Sequence, residues 1–168
     1  MGKSVIIMGV AGCGKSSLGT LVAGRLGTRL IEGDDYHSPA SRKKMSQGIP
    51  LTDADREGWL ETLGELLRTS PQGAVLTCSA LKKSYRDRLR SAASGLCFIY
   101  LEITPAEALR RVNARADEHF FPVNLVDSQF ATLESPIGEP GVLAVDWSRP
   151  LSELADQILV WLNREVKS

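Results

Sequence analysis

The eight residues from Gly9 to Ser16, GVAGCGKS, constrain the fold of this 168-residue chain more than any other feature. They fill every fixed position of the pattern GxxxxGK[ST]. The apolar run Val5–Met8 precedes them, and apolar residues follow at helical spacing, namely Leu18, Leu21, Val22 and Leu26. Glycines let the backbone curl so that N–H groups and the N-terminus of a helix face an anion. The pattern therefore predicts a phosphate-binding loop between a first strand and a first helix.

The predicted loop supplies the residue types that bind a nucleotide and its metal ion. Lys15 can reach the β- and γ-phosphates of ATP, and Ser16 can ligate Mg²⁺. Cys13 stands at a variable position, where a small spacer is the favoured interpretation over a reactive thiol at a helix N-terminus. We predict that ATP and Mg²⁺ bind to the loop and the residue after it, that is, to Gly9, Val10, Ala11, Gly12, Cys13, Gly14, Lys15, Ser16 and Ser17.

Composition disfavours several other classes of protein. Lysine plus arginine and aspartate plus glutamate both total 20, so there is no net basic field to attract nucleic acid or an anionic membrane. The three cysteines stand far apart without a CxxC pair, which argues against a disulfide framework and a zinc site. The chain has no stretch of about 18 apolar residues to span a bilayer. We expect a soluble, cytoplasmic protein with a single domain, 1–168, and no nucleic-acid or membrane partner.

Short apolar runs alternate with longer segments of helical period, which is typical of a parallel sheet with crossover helices. The predicted strands are Lys3–Met8, Arg29–Glu32, Ala74–Cys78, Cys97–Ile103 and Val142–Val145. Helices are predicted after the phosphate loop, over Pro39–Gly48, after the capping-box pair Thr52 and Asp55, over Lys82–Ala92, from Pro105, and over Leu151–Val166. A polar stretch at 116–124 interrupts the alternation. The predicted class is α/β, with five parallel strands flanked by helices.

Motifs that this chain lacks narrow the choice among phosphate-loop proteins. A GTPase needs Asn-Lys-x-Asp for guanine, which is absent, and the Asp-x-x-Gly match at 55–58 falls at a helix start. Motor and transporter ATPases need an acidic strand end for Mg²⁺, whereas the third strand ends Thr77-Cys78-Ser79. The compact length favours the nucleoside-monophosphate-kinase-like group, which has a three-layer P-loop kinase fold and a short lid.

Two arginines fit the lid of such a kinase, which we place at about 111–125. Arg111 and Arg115 are four residues apart and project from the same face of a helix. By the geometry of this group, Arg111 would stack on adenine and Arg115 would contact the transferring phosphate. Arg110 is the adjacent alternative, and a solvated basic helix face is the other interpretation of this segment.

The segment Gly33–His37 follows the second strand, so its side chains should lie at the same edge of the sheet as the phosphate loop. Asp34 could orient an attacking hydroxyl or accept its proton, and could also hold Mg²⁺ through water. Asp35 is the less favoured neighbour, and a simple turn is the alternative for both. His37 could hydrogen-bond an acceptor hydroxyl or be structural.

Two sets of ordered residue blocks are far more specific than the phosphate loop. The first set is Gly33-Asp34 with His37, Lys44-Met45, Gly48, Pro50-Leu51, Asp53, Asp55-Arg56 and Trp59-Leu60. The second set is Cys78–Lys83 with Tyr85-Arg86, His119-Phe120, Ser128-Gln129-Phe130 and Leu133-Glu134. Together they resemble the gluconokinase family over most of the chain. The resemblance implies that ATP phosphorylates D-gluconate at its 6-hydroxyl, giving 6-phosphogluconate and ADP for sugar-acid catabolism, and it suggests a homodimer.

The resemblance also implies an acceptor-binding helical segment at about 37–70 and a set of residues that recognise gluconate. One carboxylate and several hydroxyls require an arginine or lysine and a ring of polar partners. The candidates are Asp34, His37, Arg56, Lys82, Arg86 and His119. Ser41, Gly58 and the segment 116–118 depart from the family pattern, so an altered substrate range is an alternative.

Two other functions stay open on the sequence. Shikimate kinase is the nearest enzymatic rival, although its site usually carries Gly-Gly-Gly where this chain has Cys78-Ser79-Ala80. A non-catalytic nucleotide sensor belongs to a different class. The intact Lys15, Ser16 and Asp34 argue against a sensor.

Overall fold

A computed structural model of the protein describes residues 2–114 and 122–167. The strands are β1 (Val5–Met8), β2 (Arg29–Glu32), β3 (Ala74–Thr77), β4 (Cys97–Glu102) and β5 (Val142–Asp146). The helices are α1 (Lys15–Leu26), α2 (Pro39–Ser46), α3 (Asp53–Arg68), α4 (Lys83–Ala92), α5 (Pro105–Ala114), α6 (Val123–Thr132) and α7 (Leu151–Lys167), and a short 3₁₀ turn covers Gly33–Tyr36.

The five strands form one parallel sheet in the order β2-β3-β1-β4-β5. β1 lies at the centre, where Ile6 is opposite Leu76 on one side and Phe98 on the other. The next strands along the chain are added first on one side and then on the other, so the carboxyl end of β1 faces a crevice at the switch point, where such sheets bind ligands. The predicted five-stranded parallel sheet is confirmed.

Alternate side chains of β1 serve the two faces of the sheet. Val5 and Ile7 belong to a core that includes Leu18 of α1 and Ile158 of α7. Ile6 and Met8 belong to the opposite core, which is built with α3 and α4. Because a strand directs successive side chains to opposite faces, this short run is buried on both sides. The fold therefore has the three predicted layers.

Local capping signals in the sequence correspond to real helix starts. Thr52 Oγ1 accepts a hydrogen bond from Asp55 N at 3.1 Å, and Asp55 Oδ2 accepts one from Thr52 N at 2.9 Å, which completes the predicted capping box of α3. Thr104 Oγ1 accepts a bond from Glu107 N, and Pro105 is the first residue of α5. These bonds satisfy N–H groups that the first turn of a helix leaves unpaired.

α6 differs from the sequence prediction, which treated 116–124 as an interruption and placed no helix after it. The helix begins at Val123, and its buried side chains are Leu125 and Val126. With so short an apolar stripe, its period is difficult to recognise in the sequence. The predicted lid is described only at its two ends, and Arg115 and His119 lie outside the described residues. Within residues 2–114 and 122–167, no helix combines the length and apolarity needed to cross a membrane.

Candidate active site

A cavity of about 590 Å³ opens at the carboxyl edge of the sheet. The phosphate loop and the start of α1 form one wall, here called the donor wall. The turn after β2 together with α2 and α3 forms the opposite wall, here called the acceptor wall. The lining residues include Ala11, Gly12, Gly14, Lys15, Ser16, Ser17, Glu32, Asp34, Asp35, His37, Arg42, Met45, Leu51, Arg56, Ser79, Val112 and Gln129. The structure thus brings six of the nine predicted loop residues to one cavity with the predicted acceptor residues Asp34, His37 and Arg56. Gly9, Val10 and Cys13 do not line it.

The phosphate loop depends on glycines at defined positions. Gly12 and Gly14 have φ of +81° and +97°, in the region that favours glycine. A Cβ on Gly12 would lie 3.0 Å from the carbonyl oxygen of Ala108, so α5 packs against the bare backbone there. Lys15 Nζ donates to the carbonyl oxygens of Gly9 and Val10, each at 3.0 Å. Cys13 is buried and does not line the cavity, as expected of a spacer.

Ser16 contacts a carboxylate that the sequence reasoning did not select. Ser16 Oγ donates to Glu32 Oε2 at 3.0 Å, and Thr77 Oγ1 donates to the same oxygen at 2.5 Å. The carboxyl end of β3 carries no acid, but the neighbouring strand β2 places Glu32 beside Thr77. The signal available in the sequence was an acidic residue at the end of a predicted strand at the same edge.

The side chains around Ser16 offer a few oxygen donors rather than a cluster of metal-binding groups. No group of three or more His, Cys, Asp or Glu side chains that could hold a metal ion occurs among the described residues. The Ser16 hydroxyl bonded to the Glu32 carboxylate, with Asp34 lining the same cavity, supplies the oxygen donors that Mg²⁺ prefers. Magnesium usually keeps several waters and binds few protein ligands, so this donor set fits it.

Asp34 is held at the cavity wall by a stack of two rings. Trp59 Nε1 donates to Gly33 O at 2.8 Å, and the Trp59 ring stacks on His37 with the ring centroids 4.2 Å apart. His37 Nε2 lies 3.6 Å from Asp34 Oδ1, and the Asp34 carboxylate is 82% exposed. The neighbouring His37 side chain, with a contribution from the charge of Lys15, lowers the pKa of Asp34 below its ordinary value. Asp34 therefore presents an ionised carboxylate to the cavity at neutral pH.

Two arginines provide positive charge opposite the phosphate loop. Arg56 lines the cavity and donates from Nη1 to Tyr85 Oη at 3.1 Å. Arg42 also lines the cavity, and its Nη2 and Nε donate to the carbonyl oxygens of Asp35 and His37. Arg56 was predicted from the sequence, whereas Arg42 was missed. The predicted basic character of α2 was the signal for Arg42, but it could not show which cation faces inward.

The structure corrects the assignment of Arg86 to substrate binding. Its side chain is 0% exposed and does not line the cavity. The guanidinium donates to Glu139, to the carbonyl oxygens of Ala80 and Leu81, and to Glu134 O. A buried arginine with five internal bonds is structural, and here it fixes the turn after β3 to the segment after α6.

Lys82 lies beside the acceptor wall but not on the lining of the cavity. Its Nζ is 2.9 Å from Asp53 Oδ1, and this carboxylate also accepts a hydrogen bond from Tyr85 Oη. The bond to Asp53 raises the pKa of Lys82. Lys82 therefore anchors the start of α4 to α3. Of the predicted acceptor cations Arg56, Lys82 and Arg86, only Arg56 lines the cavity.

Arg111 approaches the phosphate loop from outside the cavity. Its Nη1 donates to Cys13 O at 3.1 Å, and its guanidinium carbon lies 5.0 Å from the centre of the Trp147 ring. Glu107 pairs with both Arg111 and Arg110, and the Arg110 side chain is 68% exposed. Of the two alternatives from the sequence, Arg111 is therefore the one in contact with the loop.

Gln129 and Ser79 contact the phosphate loop without having been assigned a role from the sequence. Gln129 Oε1 accepts a hydrogen bond from Ala11 N at 2.6 Å, and Ser79 O accepts one from Gly9 N at 3.4 Å. The resemblance blocks contain both residues, but a block gives no direction for a side chain. The two departures Ser41 and Gly58 do not line the cavity: Ser41 is buried, and the position of a Gly58 Cβ is open.

Comparisons with known proteins agree with this geometry. The chain matches the family model described as shikimate kinase over residues 11–131. It is 40% identical over 160 residues to a gluconokinase of Gluconobacter oxydans, covering 94% of this chain and 89% of that one. It is also 40% identical over 160 residues to the thermosensitive gluconokinase of Escherichia coli, covering 93% and 85% of the two chains.

A solved structure supports the same family assignment. The crystal structure of a gluconokinase from Sinorhizobium meliloti 1021 superimposes with a TM-score of 0.88 at 45% identity, covering 96% of this chain and 92% of that one. The shikimate kinase model covers the phosphate-loop scaffold, while these gluconokinases match nearly the whole chain. The chain therefore belongs to the shikimate kinase family of P-loop domains and, within it, to the gluconokinases.

Proposed function

We propose that this enzyme transfers the γ-phosphoryl group of ATP to the 6-hydroxyl of D-gluconate, giving 6-phosphogluconate and ADP. The observation that carries the proposal is the single cavity in which Lys15 and the loop glycines face Asp34 and Arg56. The names of the gluconokinase relatives support the choice of acceptor. The acid Asp34 could orient the hydroxyl that is phosphorylated, and the cation Arg56 could bind the carboxylate of the acceptor.

On the donor wall, backbone N–H groups and Lys15 bind the phosphates. Lys15 lines the cavity, and its Nζ contacts the Gly9 and Val10 carbonyl oxygens of the loop. Its charge offsets negative charge that builds on the transferring group, so it acts mainly on the transition state. Arg111, which is bonded to Cys13 O and lies over the Trp147 ring, would stack on the adenine.

On the acceptor wall, Asp34 orients the attacking hydroxyl. As the hydroxyl oxygen bonds to the γ-phosphorus, the bond from that phosphorus to the β–γ bridging oxygen breaks, and ADP leaves with the electron pair. The hydroxyl proton passes to the Asp34 carboxylate, whose lowered pKa keeps it ionised beforehand. Arg56, with Arg42 near it, is placed to hold the gluconate carboxylate away from the phosphates, and His37 to bond a hydroxyl.

Ser16 and Glu32 would hold Mg²⁺, with Asp34 reaching it through water. When bound, the ion neutralises charge on the β- and γ-phosphate oxygens. Arg115 and His119 complete the proposal as lid residues over the phosphates and acceptor, in a single domain with an acceptor segment at 37–70 and a lid at 111–125. We also propose a cytoplasmic homodimer without nucleic-acid or membrane partners.

Acceptor-dependent ADP release tests the proposal. The full chain is assayed with ATP, Mg²⁺ and either D-gluconate or shikimate, and the product is identified by ³¹P–¹H NMR. We expect ADP release that depends on gluconate and a phosphate coupled to the two C6 protons. Good turnover with shikimate and none with gluconate would contradict the proposed acceptor, and tight ATP binding with no turnover on either would favour the nucleotide sensor.

A further inference from the structure

Gln129 on α6 connects the phosphate loop to the acceptor side of the cavity. Its Oε1 accepts a hydrogen bond of 2.6 Å from the N–H of Ala11. Backbone N–H groups of such loops are the donors that bind phosphate oxygens. The same side chain also lines a smaller adjoining cavity, together with Met45, Leu51 and Arg56 of the acceptor wall. Gln129 therefore stands at the boundary between the two binding regions.

α6 is attached to the acceptor wall at its first turn. Asn124 Nδ2 donates to Gly48 O at 2.6 Å, in the turn between α2 and α3. Gly48 has a φ of +74°, which favours glycine, and the position of its Cβ would lie 2.8 Å from Asn124 Oδ1, so the two segments approach closely. The helix is thereby anchored at one end to the acceptor wall and, through Gln129, to the phosphate loop.

We propose that Gln129 is a positioning residue whose side chain leaves the Ala11 N–H when ATP binds and then hydrogen-bonds the acceptor substrate. A phosphate oxygen bonded to the Ala11 N–H competes with Gln129 Oε1 for the same donor. A carboxamide has both an acceptor oxygen and an NH₂ donor, so the displaced side chain can bond a hydroxyl of the acceptor at the transfer point. The identity of that acceptor rests on the proposed function, whereas the competition for Ala11 does not.

The exchange predicts opposite effects on the two substrates. Replacing Gln129 with Met keeps the side-chain length and removes the competitor for Ala11, so ATP should bind about 2- to 5-fold more tightly. The same change removes a hydrogen bond to the acceptor, so the gluconate KM should rise about 5- to 20-fold. A residue that merely stabilised the fold would weaken both substrates together.

The experiment uses calorimetric titration of the full chain with a non-hydrolysable ATP analogue and Mg²⁺, without acceptor, followed by steady-state kinetics with gluconate. The Gln129→Glu variant places a negative charge beside the phosphates and should weaken the analogue about 10-fold or more. Asp127→Asn, on the exposed side of the same helix, is the matched control and should change neither constant. Thermal unfolding verifies that all variants are folded.

The idea is overturned if Gln129→Met leaves analogue affinity unchanged or weakens it while the variant is folded. It is equally overturned if analogue affinity rises but the gluconate KM does not. Should the wild-type enzyme fail to use gluconate, the proposed acceptor fails first, and the titrations of Gln129→Met and Gln129→Glu still decide whether Gln129 competes for the Ala11 N–H.

Discussion

On the donor side of the cavity the chain presents mostly backbone, and on the acceptor side it presents side chains that other side chains hold in place. The proposed phosphate binding relies on backbone N–H groups in a loop whose shape requires glycines such as Gly12 and Gly14. Asp34, by contrast, depends on His37, and His37 on the ring of Trp59. The donor side therefore follows from one contiguous motif, whereas the acceptor side follows from contacts between distant segments. The two sides should respond differently to single substitutions.

The largest effect is expected on the donor side, from Lys15→Ala. Removing this charge takes away stabilisation of the transferring phosphoryl group, so kcat should fall by about 10³-fold or more. Lys83→Ala, an exposed lysine outside the cavity, is the control and should keep normal kcat. Steady-state ADP release measures both. Near-normal kcat in Lys15→Ala would remove Lys15 from the transfer step.

Asp34→Asn should separate catalysis from nucleotide binding on the acceptor side. The amide cannot take the hydroxyl proton, so kcat should fall about 10²- to 10⁴-fold while ATP affinity changes little. Because the pKa of Asp34 is lowered in the fold, the carboxylate is already charged between pH 5 and 8. Protonation of Asp34 should therefore not reduce wild-type kcat in this range. Kinetics and ATP titration on one preparation test this. A pure loss of ATP affinity would instead assign Asp34 to the metal ion.

Arg56→Ala and Lys82→Ala form a matched pair, because one cation lines the cavity and the other does not. Losing a charged partner of the acceptor carboxylate should raise the gluconate KM about 10- to 100-fold in Arg56→Ala. Lys82→Ala should change this KM less than about 3-fold, as expected of an exposed ion pair. Equal effects of the two substitutions on KM would show that the cavity lining does not identify the acceptor cation.

The smallest effect concerns the stability of the acceptor wall in acid. Hydrogen bonds from Lys44 and from the Thr52 N–H lower the pKa of Asp55 from its ordinary 3.8 to about 2. Since the folded pKa is the lower one, the stabilisation is present above about pH 4 and is lost as the pH falls toward 2. Asp55→Asn should flatten this part of the stability profile, as measured by urea unfolding at several pH values. An unchanged acid slope would contradict the assigned pKa.

The same contrast explains which features could be predicted from sequence. The individual strands, the loop and the capping box of α3 come from neighbouring residues, and the structure confirms them. Arg86 was misassigned because a cation near a site resembles an anion ligand until its partner Glu139, 53 residues away, is known. Glu32 and Gln129 were missed for the same reason, since strand pairing and helix packing decide their contacts with Ser16 and Ala11.

The central claim is that the acceptor wall recognises a sugar acid through its carboxylate and phosphorylates its far end. ADP release with D-gluconate, compared with D-glucitol under the same conditions, tests this most directly, because D-glucitol keeps the terminal hydroxyl and lacks the carboxylate. We predict turnover with gluconate and a kcat/KM at least about 100-fold lower with D-glucitol, as expected when a cation that lines the cavity loses its partner. Similar kcat/KM values for both compounds would contradict the claim.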